Sequence, residues 1–351
     1  MGAGTLTSMT SSPCDITLFV PGLLGPQPVY AQLPEADKPD LKRLESWLSR
    51  AEYTANSIED PLAGLFSLFN LTSATDEVPV AAVTAAYDRL DPGQGWWLRA
   101  DPVYLQPDRD QAVLVASEEL HLQPEECAAL LETINAHFAA DGWHMQAPHP
   151  QRWYLRLDEA DDIRTTPLPQ VMARGVNQYL PQGKNRRQWH TRLNELQMLL
   201  HNHPINQLRA QAGKLPVNSV WFWGEGSMPT VTSSNWDQVY GDEVLVEALA
   251  QLAAVKHAPL AAFDPRTASG HCLLVIDDCY ATVQDKDVFR WLACIEEIQN
   301  RYLTPLQANL KQQRCRSVTL LPVNGRQYQM TQRRLPRWWH RRRPLDTFLS
   351  K

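Results

Sequence analysis

Residues His201–Pro229 read HNHPINQLRAQAGKLPVNSVWFWGEGSMP, and the parsing of this stretch decides the fold. Ser219–Trp223 is a short run rich in aromatic and β-branched residues, the pattern of a buried strand. It ends in Gly224–Glu225–Gly226, and a loop beside a strand end is where α/β proteins hold ligands. Upstream, Pro204, Asn206, Arg209, Gly213, Pro216 and Asn218 mix turn formers with polar groups. Arg209 can clamp an anionic group, Asn206 and Asn218 can hydrogen-bond it, and Gly224 and Gly226 let backbone approach closely. The bland alternative is that the asparagines and glycines only shape turns.

Outward from this stretch, Ile16–Val20, Ala112–Ala116, Trp153–Leu157, Cys272–Ile276 and Ser317–Val323 also read as buried strands. Helical patterns alternate with them. One begins near Pro124, with Cys127, Leu130, Leu131, Ile134 and Phe138 on one face. A second covers about Asp285–Tyr302, and a third, Thr191–His201, is expected to stop before Pro204. Pro26–Pro39 and Leu90–Gly95 are expected loops, and residues 1–14 an unstructured terminus. The alternation predicts an α/β fold.

A chain of 351 residues can bury one large core carrying an insertion, or two modest domains. With 21% charged and 44% hydrophobic residues it has a globular balance, and a net charge of −6 leaves no global footprint for nucleic acid. The six cysteines occur singly with no C-x-x-C pair, which predicts reduced thiols and a cytoplasmic protein. The start lacks a basic n-region, Leu6 stands where a myristoylation signal wants Ser or Thr, and no apolar run approaches the roughly 18 residues of a membrane span.

Two chemical constellations carry little. LFVPGLLGP (Leu18–Pro26) resembles the loop that supplies an oxyanion donor in lipases, yet no G-x-S-x-G elbow accompanies it. His201 and His203, with His190 and Glu195 upstream, have the chemistry of metal ligands, but H-x-H at a helix end does not set both rings on one side. Histidines facing the terminal carbonyls of a helix are the plainer reading.

The order His-Pro-x-Asn, Arg, Gly-Lys-x-Pro-x-Asn, then an apolar strand ending in Gly-x-Gly-x-x-Pro resembles the archaeal-type cofactor-independent phosphoglycerate mutases of the alkaline-phosphatase superfamily. LFVPGLLGP falls where that family opens with an Asp-Gly strand, RADPVYLQPDRD (Arg99–Asp110) matches its insert, and CIEEIQ (Cys294–Gln299) its late helix. With RWYLRL (Arg152–Leu157), NELQMLLH (Asn194–His201) and VNSVWFWGEG (Val217–Gly226), the chain is identified as a member of the RpfE-type bacterial regulatory proteins. The resemblance implies an alkaline-phosphatase-like core sheet flanked by helices, built from residues 15–85 and 215–330, with an inserted smaller α+β domain over 86–214 and a basic, aromatic segment over 331–351.

The departures from that pattern bear on mechanism. Pro21 stands where the family has a metal-binding aspartate, and Trp223 where it has an arginine. The nucleophile position falls near Glu59–Asp60 unless Ser57 takes it, the Asp-x-x-x-His ligands become Tyr280 to Gln284, and the Asp-His pair falls at Pro322–Val323. Two-metal phosphoryl transfer needs such ligands. The expectation is therefore a catalytically silent, regulatory protein with no metal and no cofactor, whose ligand candidates are Asn206, Arg209, Asn218, Trp223, Gly224 and Gly226. A small anionic metabolite or a protein is the expected partner, and a membrane is not.

Two rivals stay open. One is a phosphotransferase or phosphatase rebuilt on Asp277, Asp278, Asp285 and Asp287. The other is a nucleic-acid element in the tail, where Trp338 and Trp339 lie among Arg333, Arg334, Arg337, Arg341, Arg342, Arg343 and Lys351, with Asp346 the one acid. The excess of acid elsewhere in the chain favours a tail packed on its own body over one that binds nucleic acid.

Overall fold

The computed structural model describes residues 13–72, 78–93, 95–108, 111–172, 174–336 and 340–349. The chain divides into two compact units: residues up to Phe69 with those from Ser233 onward, and Asn70–Thr232.

In the first unit seven strands form one sheet in the order β11-β10-β12-β1-β13-β14-β2. These are β1 (Cys14–Phe19), β2 (Glu52–Ala55), β10 (Gln238–Tyr240), β11 (Lys256–Ala258), β12 (His271–Val275), β13 (Cys315–Leu321) and β14 (Arg326–Thr331). The five from β11 to β13 are parallel, and β14 and β2 join antiparallel. The helices are α1 (Lys42–Arg50), α2 (Pro61–Leu68), α8 (Val244–Leu252), α9 (Asp278–Gln284), α10 (Val288–Ile298) and α11 (Thr304–Lys311). Ile16, Leu18, Leu274, Val318 and Leu320 meet Trp291, Ile295 and Leu306 in one buried core. Such a sheet, central and flanked by helices, is the α/β architecture that the alternation predicts.

The second unit holds β3 (Leu71–Thr72) paired with β9 (Thr230–Val231), and a five-stranded sheet of β4 (Trp96–Asp108), β5 (Gln111–Val115), β6 (His144–His149), β7 (Arg152–Leu157) and β8 (Ser219–Gly226). Its helices are α3 (Val80–Tyr87), α4 (Pro124–His137), α5 (Leu168–Val171), α6 (Arg186–His201) and α7 (Pro204–Gln211). Phe138, Trp143 and Trp189 stack in its core, and Phe222 packs edge-on against the two tryptophans.

Several expectations are corrected. Cys14 is buried and opens β1, so the described chain is ordered from within the terminus expected to be loose; residues 1–12 lie outside the described residues. The division falls at Phe69/Asn70 and Thr232/Ser233 instead of 85 and 215, because α3 packs on β4 and β8. The helix expected over Thr191–His201 starts earlier, at Arg186, and does end at His201; Pro204 then occupies the first turn of α7, which the His203 side chain caps by accepting from the Ile205 N–H. The long strand β4 escapes a sequence reading because Pro102 interrupts its pattern. Pro102 is tolerated where β4 has left β7 and not yet met β5, so its missing N–H breaks no ladder on that side. Among the described residues no helix is long and apolar enough to cross a membrane.

Candidate functional site

The ligand candidates of the His201–Pro229 stretch are held by the second unit's own framework. Asn206 Nδ2 donates to the Leu200 and Val217 carbonyls at 2.8 and 2.7 Å, and its Oδ1 accepts from the Val217 N–H at 2.8 Å. Asn218 exchanges two hydrogen bonds with the backbone of Leu105, as a strand neighbour would. Arg209, 1% exposed, donates to the Leu215 and Leu120 carbonyls and to Glu126 Oε2, the last at 2.7 Å. Glu126 also accepts from the Gln123 N–H, capping α4. Gly224 has φ +66, and a Cβ there would meet Val80 at 2.9 Å, so its freedom serves the packing of α3. The Asn206, Asn218 and Arg209 side chains thus bond to neighbouring backbone and, at Arg209, to Glu126.

Trp223 belongs to a buried charge network. Its indole N–H donates to Asp101 Oδ2 at 2.8 Å, Arg99 donates twice to Asp101 Oδ1, and the Arg99 guanidinium lies over the Trp223 and Tyr154 rings. Burial pushes the Asp101 carboxyl upward against the opposing pull of Arg99. At Asp88 burial acts the same way but is outweighed by hydrogen bonds from Arg152 and Tyr154, which hold that carboxyl below its usual value.

The first unit offers a different arrangement at the carboxyl ends of its parallel strands, the position where open α/β sheets take ligands. β1 runs into Pro21–Gly22, β10 into Asp242–Glu243, β12 into Asp277–Asp278, and β13 into Pro322–Val323. Val20 donates to the Leu321 carbonyl and Ile276 to the Phe19 carbonyl, so these ends stay in register. Gly22, at φ +78, approaches the carbonyl of Cys279 so closely that a Cβ would sit 2.9 Å from it. Val323 has φ +59, a strained conformation for a β-branched residue.

Beside these ends lies a cavity of about 160 Å³ bordered by Asp242, Asp278, Cys294, Glu297, Arg301 and Tyr302. Asp277 and Glu243 follow the neighbouring strands β12 and β10, and the Glu243 side chain by itself favours the ionised Asp277 carboxyl. Burial first, and Asp278 and Asp242 after it, raise the Asp277 carboxyl above the usual carboxylate range. Arg301 meets Glu297 at 3.3 Å. The acids around this cavity can attract a cationic or hydrogen-bond-donating group.

The other residues singled out in the sequence sit in plain roles. Asp60 caps α2 by accepting from the Ala63 N–H, Asp287 caps α10 through the Arg290 N–H, and Asp285 lies 4.0 Å from Arg290. His203 Nε2 is 2.9 Å from the Thr133 hydroxyl, and His190 Nε2 is 2.9 Å from the Pro181 carbonyl. Among the described residues no group of three or more His, Cys, Asp and Glu side chains is arranged to hold a metal ion. Sequence reading missed Asp242 and Glu243. The only signal was an acidic pair straight after the short run Gln238–Tyr240.

Sequence comparison points the same way as the motif order. The chain is similar to phosphoglycerate mutases. It is 31% identical over 117 residues to the 2,3-bisphosphoglycerate-independent phosphoglycerate mutase of Methanosarcina barkeri, covering 32% of this chain and 29% of that one. It is 27% identical over 139 residues to the probable enzyme of that name from Geobacter sulfurreducens, covering 38% and 34%. The matched part thus spans about a third of these relatives. The solved cofactor-independent phosphoglycerate mutase of Thermoplasma acidophilum superposes over 91% of this chain and 90% of its own, with 14% identity and a TM-score of 0.43. No protein-family model matches the chain.

Proposed function

We propose that this chain is a non-catalytic relative of the phosphoglycerate mutases that acts in regulation, through a small-molecule ligand or a protein partner at the strand-end edge of its first unit. The observation that carries the reading is the chemistry of that edge. Pro21 and Pro322–Val323 supply no metal donor where the family resemblance requires aspartate and histidine, and Tyr280 and Gln284 stand where its later ligands would be. The remaining acids gather there, and burial, with the nearby Asp278 and Asp242, raises the Asp277 carboxyl above its usual range. Clustered carboxyls of this kind bind donors and cationic groups; they do not clamp a transferring phosphoryl group, which needs two cations placed in line. All six cysteines are free thiols, which favours a reducing, cytoplasmic setting, and the motif resemblance to bacterial RpfE-type regulatory proteins supports a regulatory role.

The carboxylates of Asp242, Asp278 and Glu297 around one cavity favour the rival reading of a rebuilt metal-dependent phosphatase or mutase. One experiment separates the two. Purified protein is assayed with phosphoglycerate and an aryl phosphate, with and without Mn²⁺ or Zn²⁺, alongside elemental analysis. We expect background turnover and no stoichiometric metal; metal-dependent turnover lost in Asp278→Asn would establish the rival.

A further inference from the structure

The strand-end cavity of the first unit has an exposed rim and a buried floor. Asp242, Asp278, Glu297 and Arg301 are exposed, whereas Leu260, Ile276, Ile298 and Tyr302 are buried. Tyr302 belongs to a π-helical turn, Gln299–Leu303, that joins α10 to α11. Such turns insert an extra residue into a helix and are frequent at functional sites. Among the described residues the Tyr302 hydroxyl has no hydrogen-bond partner, although the residue is only 4% exposed. A buried phenol ordinarily finds one. Its ring is already taken: Phe263 lies against it at 6.3 Å between centroids, and the Arg301 guanidinium is 5.3 Å from its centroid. The oxygen is what remains for a ligand.

The charges at the rim do not cancel. Glu297 meets Arg301 at 3.3 Å, which leaves Asp242 and Asp278 without a neutralising cation. Asp242 Oδ1 accepts from the Leu260 N–H at 2.9 Å, so its second oxygen is open. Asp278 makes no hydrogen bond or ion pair among the described residues.

We propose that this cavity binds a small primary amine, with its ammonium held by Asp278, Asp242 Oδ2 and the Tyr302 hydroxyl and its aliphatic body against Leu260, Ile276 and Ile298. An ammonium carries three N–H donors and no acceptor, which matches these three oxygens. Burial first, with Glu297, Asp278 and Asp242 adding to it against Arg301, raises the tyrosine above its ordinary value, so its oxygen stays neutral and can accept. The volume of about 160 Å³ suits a body of benzene size, roughly six to eight heavy atoms. A metal ion would need donors converging on one point, and among the described residues no group of three or more His, Cys, Asp and Glu side chains does so. An amine at this edge is a case of the ligand binding proposed above and depends on it.

The test is calorimetric titration of the full chain at neutral pH with n-pentylamine, n-pentanol and pentanoate, on wild type, Asp278→Asn and Tyr302→Phe. Pentylamine should bind at one site per chain and at least about tenfold more tightly than pentanol, which fills the same volume without the charge. Asp278→Asn should weaken it about tenfold or more, and Tyr302→Phe, which removes one oxygen and keeps the ring packing, about fivefold. Pentylamine that binds no better than pentanol, or equally well to wild type and both variants, would overturn the proposal, as would the absence of saturable binding. Preference for pentanoate would overturn the amine assignment while leaving a ligand at this edge. Metal-dependent phosphoglycerate turnover by the same preparation would instead overturn the functional reading beneath it.

Discussion

The loop around Arg209 and the strand-end edge around Asp277 contrast in what their charges face. Arg209 gives hydrogen bonds to two carbonyls and a carboxylate, and Asn206 closes three backbone bonds. At the strand ends, Asp242, Glu243, Asp277 and Asp278 gather, burial and like charge raise the Asp277 carboxyl, and Val323 after β13 is strained. The lesson is that ligand-type residues in a sequence mark a site only when the fold leaves their bonding capacity unspent. A residue that completes the framework is invested in stability, whereas unfavourable charge and backbone strain are stability given up, which is common at functional sites.

The largest effect expected from this contrast is at Arg209. Arg209→Ala would strip a buried ion pair and two carbonyls of their partner, and should cost roughly 4 kcal/mol in urea unfolding. Small phosphorylated or carboxylated metabolites should shift the melting temperature of wild type no more than that of a milder Arg209→Lys. A metabolite that stabilises only the wild type would place ligand binding back in this loop and break the contrast.

The tail tests the same idea with other arginines. Arg334 pairs with Glu52 at 2.6 Å, Arg342 lies 3.4 Å from Glu45, and the Leu345 N–H donates to Glu45, while Leu345 and Phe348 are buried. Trp338 and Trp339 lie outside the described residues. Phe348→Ala should lower stability by about 3 kcal/mol through the cavity left behind. Binding of the intact chain to single-stranded DNA should stay at background at low salt. Salt-sensitive binding that disappears on truncation after Gln332 would show that these arginines are not spent internally.

The smallest effect belongs to the strand-end acids and is seen through pH. Because the folded-state value of Asp277 is raised, the folded chain binds the proton more tightly than the unfolded chain does. Its contribution to stability is therefore greatest below the ordinary aspartate value and falls as pH rises through the raised one. Asp277→Asn should be more stable than wild type at neutral pH, with the gain vanishing near pH 4. A loss at neutral pH would mean that the charged carboxylate is favourably held, and the edge would then resemble the Arg209 loop.

The sequence alone determined the α/β class, most of the buried strands and the amphipathic helices, because hydrophobic period and turn chemistry are local properties. Motif order was legible too, and it carried the likeness to phosphoglycerate mutases. The long β4 stayed hidden, since Pro102 is compatible with a strand only where neighbouring strands leave a gap. What the candidate residues do was decided by tertiary structure. Glu126 lies 83 positions from Arg209, and Asp242–Glu243 reach Asp277–Asp278 only because β10 and β12 are sheet neighbours. Whether a charge meets a partner of opposite sign or of its own depends on such long-range pairing, and neither composition nor spacing encodes it.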